Sequence, residues 1–268
     1  MEEQENKETN VKSTIDAVTG LVKAVPVYQD TIQPAAKEIG ESLKIVSKTI
    51  NMALAPIKAL VWGYEKIEDF ITTKVSEKLE NVPKEKIITP ATEIAGPTIE
   101  ALKYSGHNTE LRELYANLLA SAMNKDSAHK AHPGYVEIIK NMTSDEALLL
   151  QIFKPNTIFP LVDLKSRDDG GFYMEYVHFS DLKTKVNLAR PDLLPTYIDN
   201  LCRLVILEIP HQVTFQDKSF YEKLEENLEL NSHKLRIEES DKKFEFDRKI
   251  LRLTTFGKQF VENVVNIE

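Results

Sequence analysis

The stretch "PDLLPTYIDNLCRLVILEIP", Pro191 to Pro210, decides whether the chain is purely helical or mixed. It is typical of a helix that runs directly into a strand. Two later stretches, "KLRIEES" from Lys234 and "KFEFDRKILRL" from Lys243, alternate apolar and polar residues as paired strands do. The sequence therefore predicts a small antiparallel β-ribbon after a helix.

The segments on either side of this ribbon are expected to be helical. "TTFGKQFVENVV" closes the chain as a helix, and "PGYVEIIKNM" is a short helix further upstream. Asn108 or Thr109 can cap one earlier helix, while Thr143 and Glu146 have the spacing of a capping box. Three helices, a β-ribbon and a helix are the order of a winged-helix module. We therefore predict a winged-helix-like domain over residues 142–268.

The N-terminal part carries a long heptad pattern. Apolar residues recur with alternating spacings of three and four, which indicates a helix packed against other helices. They are Ala36, Ile39, Leu43, Val46, Ile50, Ala53, Ile57, Leu60, Tyr64, Ile67 and Ile71. We expect a helix from Pro34 to Leu79, about 70 Å long at 1.5 Å per residue, with a bend or break at Pro56.

The overall expectation is a mainly α-helical, α+β chain. A disordered acidic tail over residues 1–10 precedes a long-helix or helical-bundle domain over residues 11–141. A stripe formed by Ile39, Leu43 and its neighbours is too long for one small domain to cover, so self-association or a tight helical hairpin is expected.

One apolar run in that helix, "NMALAPIKALVWGY", raises the question of a membrane segment. A spanning helix needs about 20 consecutive apolar residues, and Lys58 is one of several polar residues that interrupt the window. Trp62 falls opposite the heptad seam, where either a neighbouring helix covers it or it contacts a partner or a lipid. Lys58 and Val61 would share that contact surface with Trp62.

The composition favours a soluble cytoplasmic protein. The net charge is -8, the pI is near 5.4, and Cys202 is the single cysteine, so a reducing compartment fits. The polar, acidic start "MEEQENKETN" does not have the basic and then apolar pattern of a signal peptide.

The candidate catalytic motifs have simpler explanations. His129 and His132 lie three positions apart, but we interpret them as loop residues because zinc needs three or four ligands. The run from Arg167 to Phe172, "RDDGGF", is typical of a turn between strands. No phosphate-binding loop, dinucleotide fingerprint or nucleophile elbow occurs. We therefore predict no catalytic residues, metal or cofactor, and a chain that is not an enzyme, although a hydrolase without a recognisable motif is a rival hypothesis.

A winged-helix module raises the hypothesis of DNA binding. The helix in the recognition position carries Asp192 and Asp199 against Arg203 alone, whereas phosphate contacts require clustered basic residues. Arg190 and Arg203 are the candidate nucleic-acid contacts. DNA is not the expected partner, and contact with another protein is.

The middle of the chain resembles the bacterial family called abortive infection alpha. The resemblance rests on "IEALKY", "ELRELYANLLASAM", "HPGYVEIIKNMTSDEA", "DNLCRLVILEIP" and "LTTFGKQFVE", and on the spacing of Pro90 and Pro97. Val205 stands where winged-helix modules of this kind often have glycine. The resemblance implies phage defence through protein contacts, with a phage component among the expected partners, and it transfers no catalytic residue. The alternatives are a DNA-binding regulator and an effector that acts on the membrane only after a trigger.

Overall fold

The structure, a computed structural model, describes residues 61–240 and 242–265. The chain divides into two compact units between Lys140 and Asn141. The acidic tail, the heptad positions before residue 61, the bend at Pro56, and Lys58 lie outside the described residues.

Four α-helices form the described part of the N-terminal unit. They are α1 (Tyr64–Leu79), α2 (Thr92–Ser105), α3 (Thr109–Met123) and α4 (Gly134–Lys140). Helix α3 is buried on almost every side from Leu114 to Met123, so it is the centre around which the other helices pack. The side chain of Asn108 caps α3 by accepting a hydrogen bond from the backbone N–H of Leu111, as expected.

The predicted continuous helix to Leu79 is wrong at residues 61–63. Helix α1 begins only at Tyr64, and Gly63 before it has an extended backbone with φ -72° and ψ 163°. The backbone N–H of Trp62 donates to the carbonyl oxygen of Lys103 at 2.8 Å, on the last turn of α2. Because an N–H in the interior of a helix bonds to the carbonyl four positions earlier, this tertiary bond excludes a helix that continues through Trp62 from earlier residues.

The C-terminal unit is a mixture of helices and strands, which confirms the predicted α+β class. Its elements are α5 (Ser144–Leu150), β1 (Ile158–Asp168), β2 (Gly171–Phe179), α6 (Leu194–Arg203), β3 (Leu207–Glu208), α7 (Ser219–Glu225), α8 (Leu228–Glu239), β4 (Lys243–Leu253) and α9 (Thr255–Phe260). A π-helical turn over Val261–Val265 continues α9. The four strands form one antiparallel sheet in the order β2-β1-β4-β3.

Two local sequence signals in this unit, a capping box and a turn between strands, are confirmed. Thr143 and Glu146 form the complete capping box at the start of α5. Asp169 and Gly170 form the tight turn that joins β1 to β2, as the turn interpretation of "RDDGGF" predicts. The prediction of a strand at "KLRIEES" is wrong, because these residues lie in α8 and its end, and β4 pairs instead with β1.

One face of the sheet is mainly apolar, and the opposite face carries a row of charged residues beside the buried leucines Leu161 and Leu251. Helices α7 and α8 cover the apolar face, and the buried cluster there consists of Val162, Leu164, Phe179, Tyr221, Leu224, Leu230 and Ile237. On β4, alternate residues such as Asp247 and Lys249 point to the opposite face.

Val205 shows why glycine is common at its position. It follows α6 with φ 61°, in the left-handed region that disfavours β-branched side chains. Its carbonyl oxygen accepts a hydrogen bond from the hydroxyl of Thr254 at 2.6 Å, and its side chain is 55% exposed. The backbone is therefore held in a strained conformation by contacts around it.

Candidate functional site

Charged residues of opposite sign alternate along the charged face of the sheet. Asp163 of β1 lies opposite Asp247 of β4, and Leu161 lies opposite Lys249. The ammonium of Lys165 is 2.6 Å from a carboxylate oxygen of Asp247, and Lys249 lies 3.8 Å from the same oxygen while bonding closely to Asp163. These four charged residues, with His178 and Asp199, are called the Asp163 network below.

Asp163 is the centre of this network. Its side chain is only 1% exposed. One carboxylate oxygen accepts the backbone N–H of His178 at 2.8 Å, and the other accepts the ammonium of Lys249. A buried carboxylate is costly unless it is paired and hydrogen-bonded, and both conditions are met here.

His178 connects this carboxylate to helix α6. Its backbone has φ 55°, next to an irregularity in the pairing of β1 and β2. Nε2 of its ring lies 3.0 Å from Oδ1 of Asp199 on α6, and Nδ1 lies 3.6 Å from Oδ1 of Asp163. Within the described residues Nδ1 is buried without a hydrogen-bond partner. His178 therefore links α6 to β1 through Nε2, which contacts Asp199, and through its backbone N–H, which donates to Asp163.

The network is better suited to bracing the sheet than to catalysis. Both oxygens of Asp163 are occupied by donors within the protein. Lys165 and Lys249 are each held by a carboxylate. A catalytic base needs an accessible lone pair for the proton it removes, and the side chain of Asp163 is too deeply buried to offer one to a substrate.

A second buried carboxylate joins α5 to the segment before α6. Asp145 accepts the backbone N–H groups of Ala189 and Arg190 at 2.8 and 2.9 Å and the hydroxyl of Tyr197 at 2.8 Å. Burial acts to raise the pKa of Asp145, but these three hydrogen bonds outweigh it and the pKa is lowered. Burial, followed by the bond to Asp145, raises the pKa of Tyr197 to about 12.

Of the two candidate nucleic-acid contacts, Arg190 lies four residues before α6 and Arg203 is its last residue, and both are bonded within the protein. The guanidinium of Arg190 forms two hydrogen bonds to Asp192, at 2.9 and 2.6 Å. Arg203 donates twice to the side-chain oxygen of Asn200, at 3.0 and 2.6 Å. A DNA phosphate would have to compete with these partners, so binding of DNA stays a prediction.

Trp62 is partly buried in the N-terminal unit. Its ring meets Phe70 edge-to-face at 5.6 Å and lies 5.8 Å from the guanidinium of Arg112. It also lies so close to Gly106 that a Cβ there would be 2.3 Å from the ring. The side chain of Val61 beside it is 39% exposed, and Lys58 lies outside the described residues. Helices α1, α2 and α3 therefore cover only part of Trp62, and its role as a partner or lipid contact stays a prediction.

His129 and His132 have local roles in the structure. His129 lies in a short 3-10 turn, and Nδ1 of His132 accepts the backbone N–H of Gly134 at 3.0 Å.

Among the described residues no helix is both long and apolar enough to cross a membrane.

The end of the β1–β2 hairpin is an exposed apolar surface that the sequence analysis missed. Phe172, Tyr173 and Met174 are 56%, 46% and 51% exposed. They lie on β2, at the edge of the sheet, where the outer backbone groups have no neighbouring strand among the residues that the structure describes. Arg167 lies over the ring of Phe172 at 4.9 Å. Three consecutive large apolar residues directly after a Gly-Gly turn are the signal that points to this surface, called the hairpin tip below.

Comparisons with known proteins place the chain in a family. The family model described as abortive infection alpha matches residues 63–264, which confirms the resemblance in the sequence. No curated protein matches. A solved structure of an uncharacterized protein from the hydrocarbon-degrading marine bacterium Alcanivorax borkumensis SK2 is 20% identical, with a TM-score of 0.35, over 47% of this chain and 89% of that chain.

Proposed function

We propose a function from one premise: the chain belongs to the abortive infection alpha family. The proposed function is phage defence in the bacterial cytoplasm, in which an infected cell stops before phage can mature. The chain exerts it through contacts with a protein partner or a further copy of itself, without catalytic chemistry of its own.

The hairpin tip is the observation that supports action through protein contacts. Monomeric soluble proteins rarely leave large contiguous apolar surfaces in water, and such surfaces usually mark a contact site. Phe172 and Met174 alternate with Tyr173 along β2, so they share one face of the hairpin. The exposed backbone edge of β2 could also pair with an extended segment of a partner.

This proposal gives the winged-helix-like C-terminal domain a contact role. The β1–β2 hairpin precedes α6 in the chain, and its apolar end faces solvent. DNA is a less suitable partner because residues 192–268 carry more acidic than basic side chains. The carboxylate of Asp192 neutralises Arg190, and the bonds to Asn200 occupy two N–H donors of Arg203.

The test is phage plating on cells that express the full chain or its variants. We expect the wild-type chain to reduce plaque number, and we expect Phe172→Thr combined with Met174→Thr to lose most of this protection. Threonine retains strand propensity, so the hairpin should persist. The matched control is Leu228→Gln with Leu235→Gln, which removes two exposed leucines from α8.

Each result decides a separate part of the proposal. Unchanged plaque counts with the wild-type chain, across a broad phage panel, would contradict the defence role. Equal protection by the wild-type chain and the hairpin variant would contradict contact through the hairpin tip.

A further inference from the structure

The outer edge of strand β2 is regular and uncharged over a short segment. This segment begins at Gly171, directly after the turn, and its regular pairing with β1 runs to Met174. The register then passes from Met174 to Tyr176, so Glu175 forms a bulge. Residues 171–174 carry no charged side chain. Because a bulge twists an edge strand away from further pairing, only this segment, called the free edge below, is available to another strand.

The backbone groups of Phe172 and Met174 point to the outer side of β2. Asp168 and Gly171 face each other across a two-residue turn, so they exchange backbone hydrogen bonds with each other. Inward and outward residues alternate along an antiparallel strand, so Phe172 and Met174 direct their N–H and C=O groups away from β1. Among the residues that the structure describes, no strand pairs with this side of β2. The free edge therefore presents two N–H donors and two C=O acceptors.

The free edge is complementary to itself. When a second copy runs antiparallel about a twofold axis at Tyr173, each Phe172 lies opposite the Met174 of the other copy. Both of these pairs have outward backbone groups, so four backbone hydrogen bonds form between the copies. Each phenylalanine ring then lies beside a methionine sulfur, which is a favourable contact. The two Tyr173 residues form the central pair, which has no backbone hydrogen bonds and the shorter Cα separation.

Charges on the face of Phe172 and Met174 do not oppose this approach. Lys165 and Arg167 of β1 lie opposite Met174 and Phe172 on that face. In the paired sheet, each Arg167 is three strands from the Lys165 of the other copy, about 14 Å at ~4.8 Å per strand. The Debye length is about 8 Å at physiological ionic strength, so the repulsion between them is largely screened.

The charged groups on the other face are bonded within their own copy. Glu175 accepts the hydroxyl of Ser166, and Lys242 lies 3.4 Å from a carboxylate oxygen of Asp168. The ammonium of Lys242 also lies 4.4 Å from the ring centroid of Tyr173, which is still 46% exposed. The second copy therefore contacts the remaining exposed part of this ring and displaces none of these bonds.

A second copy suits the free edge better than a disordered peptide does. Four residues offer few backbone hydrogen bonds to offset the conformational entropy that a disordered segment loses on binding. The free edge of a second copy is already ordered by its pairing with β1. A twofold arrangement also occupies both free edges at once, so association ends at a dimer.

We propose that two copies of the chain associate through their free edges, with β2 paired to β2 about Tyr173. The two four-stranded sheets then form one continuous sheet. This inference rests on the proposed function, because it names a further copy as the partner that contacts the hairpin tip. The contact is small compared with the ~1,600 Å² of a standard interface, so the dimer is weak, with a Kd on the order of 100 µM.

The test is disulfide crosslinking of the full-length protein that carries Tyr173→Cys and Cys202→Ser. In the central pair the two Cα atoms at position 173 lie about 4.5 Å apart, within the range that a disulfide spans. We expect covalent dimers on a non-reducing gel after incubation at about 100 µM protein in a glutathione redox buffer. The matched control is Glu175→Cys with Cys202→Ser. Its two thiols lie four positions out of register, roughly 13 Å apart along the strands, and should not crosslink.

Sedimentation velocity from about 10 to 500 µM provides a second measurement. The wild-type chain should pass from 30.5 kDa toward twice that mass. Met174→Pro removes an outward N–H and leaves the pairing with β1 intact, so it should weaken association at least ~10-fold. The control, Leu228→Gln with Leu235→Gln, removes two exposed leucines from α8 and should leave the Kd within about twofold. If circular dichroism shows that Met174→Pro does not fold, Phe172→Lys provides the same test.

Three results would overturn the proposal. They are a chain that stays monomeric throughout this range, a Tyr173→Cys variant that crosslinks no more than its control, and a Met174→Pro variant that associates like the wild type. A dimer with either of the last two results would place the contact elsewhere, such as on the heptad stripe predicted before residue 61. Because these measurements use purified protein without phage, they separate this inference from the defence function, which phage plating decides.

Discussion

Replacing Asp163 with asparagine should destabilise the C-terminal unit through loss of its central charge. Asparagine retains the size of the side chain, but its amide group brings N–H donors toward the ammonium of Lys249. Removing one partner of a buried ion pair costs about 3–5 kcal/mol. Lys249 is 27% exposed and lies 3.8 Å from Asp247, so it can recover part of this loss. We therefore expect a loss of about 2–3 kcal/mol.

Urea unfolding followed by circular dichroism measures this loss for Asp163→Asn in the full chain. The control is Asp192→Asn, which removes the carboxylate of an exposed pair with Arg190 and should leave the unfolding midpoint unchanged. Combining Asp163→Asn with Lys249→Met should recover part of the loss, because no unpaired charge then remains. An Asp163→Asn variant as stable as the wild type would refute the bracing role of the Asp163 network.

Three further predictions concern strain, pH and the single tryptophan. Val205→Gly should stabilise the chain by about 1 kcal/mol in the same urea assay, because relief of the left-handed backbone strain exceeds the extra conformational entropy that glycine loses on folding. Destabilisation by this substitution would show that φ 61° is not costly for Val205. Asp145 has a lowered pKa in the folded chain, so its contribution to stability is present above its unfolded pKa and is lost as the pH falls below about 4. Asp145→Asn should therefore reduce the loss of unfolding free energy at acid pH. The same loss in the variant as in the wild type would contradict this prediction. Gly106→Ala should displace the ring of Trp62 and shift its fluorescence emission to the red, and an unchanged spectrum would show that the ring does not rest on Gly106. In the wild-type chain, a blue shift of this emission on adding liposomes would support membrane contact.

Local patterns predicted two helix starts of this chain, since a cap is specified by residues a few positions apart. Asn108 before α3 and Thr143 before α5 both act as predicted. The error at "KLRIEES" arose because a short alternating run does not distinguish a strand from a helix, and Asn227 caps α8 seven positions earlier. The break before Tyr64 could not be inferred from the heptad, because the bond of Trp62 to Lys103 joins distant residues.

The sequence predicted the candidate surfaces less well than it predicted the fold. Asp163 and Lys249 are 86 positions apart, and only the register of β1 on β4 brings them together. Arg190 and Arg203 were correctly located near α6, but their bonds to Asp192 and Asn200 depend on side-chain conformations that no spacing specifies.

Phage release from infected cells, measured together with their survival, tests the central claim most directly. Cells that express the wild-type chain are infected at high multiplicity, and burst size and survival of the infected cells are measured together. An abortive infection protein predicts a burst at least ~10-fold smaller than in cells without the chain, with no rescue of colony formation by the infected cells. An unchanged burst across the phage panel, or a small burst from cells that survive and divide, would contradict the account.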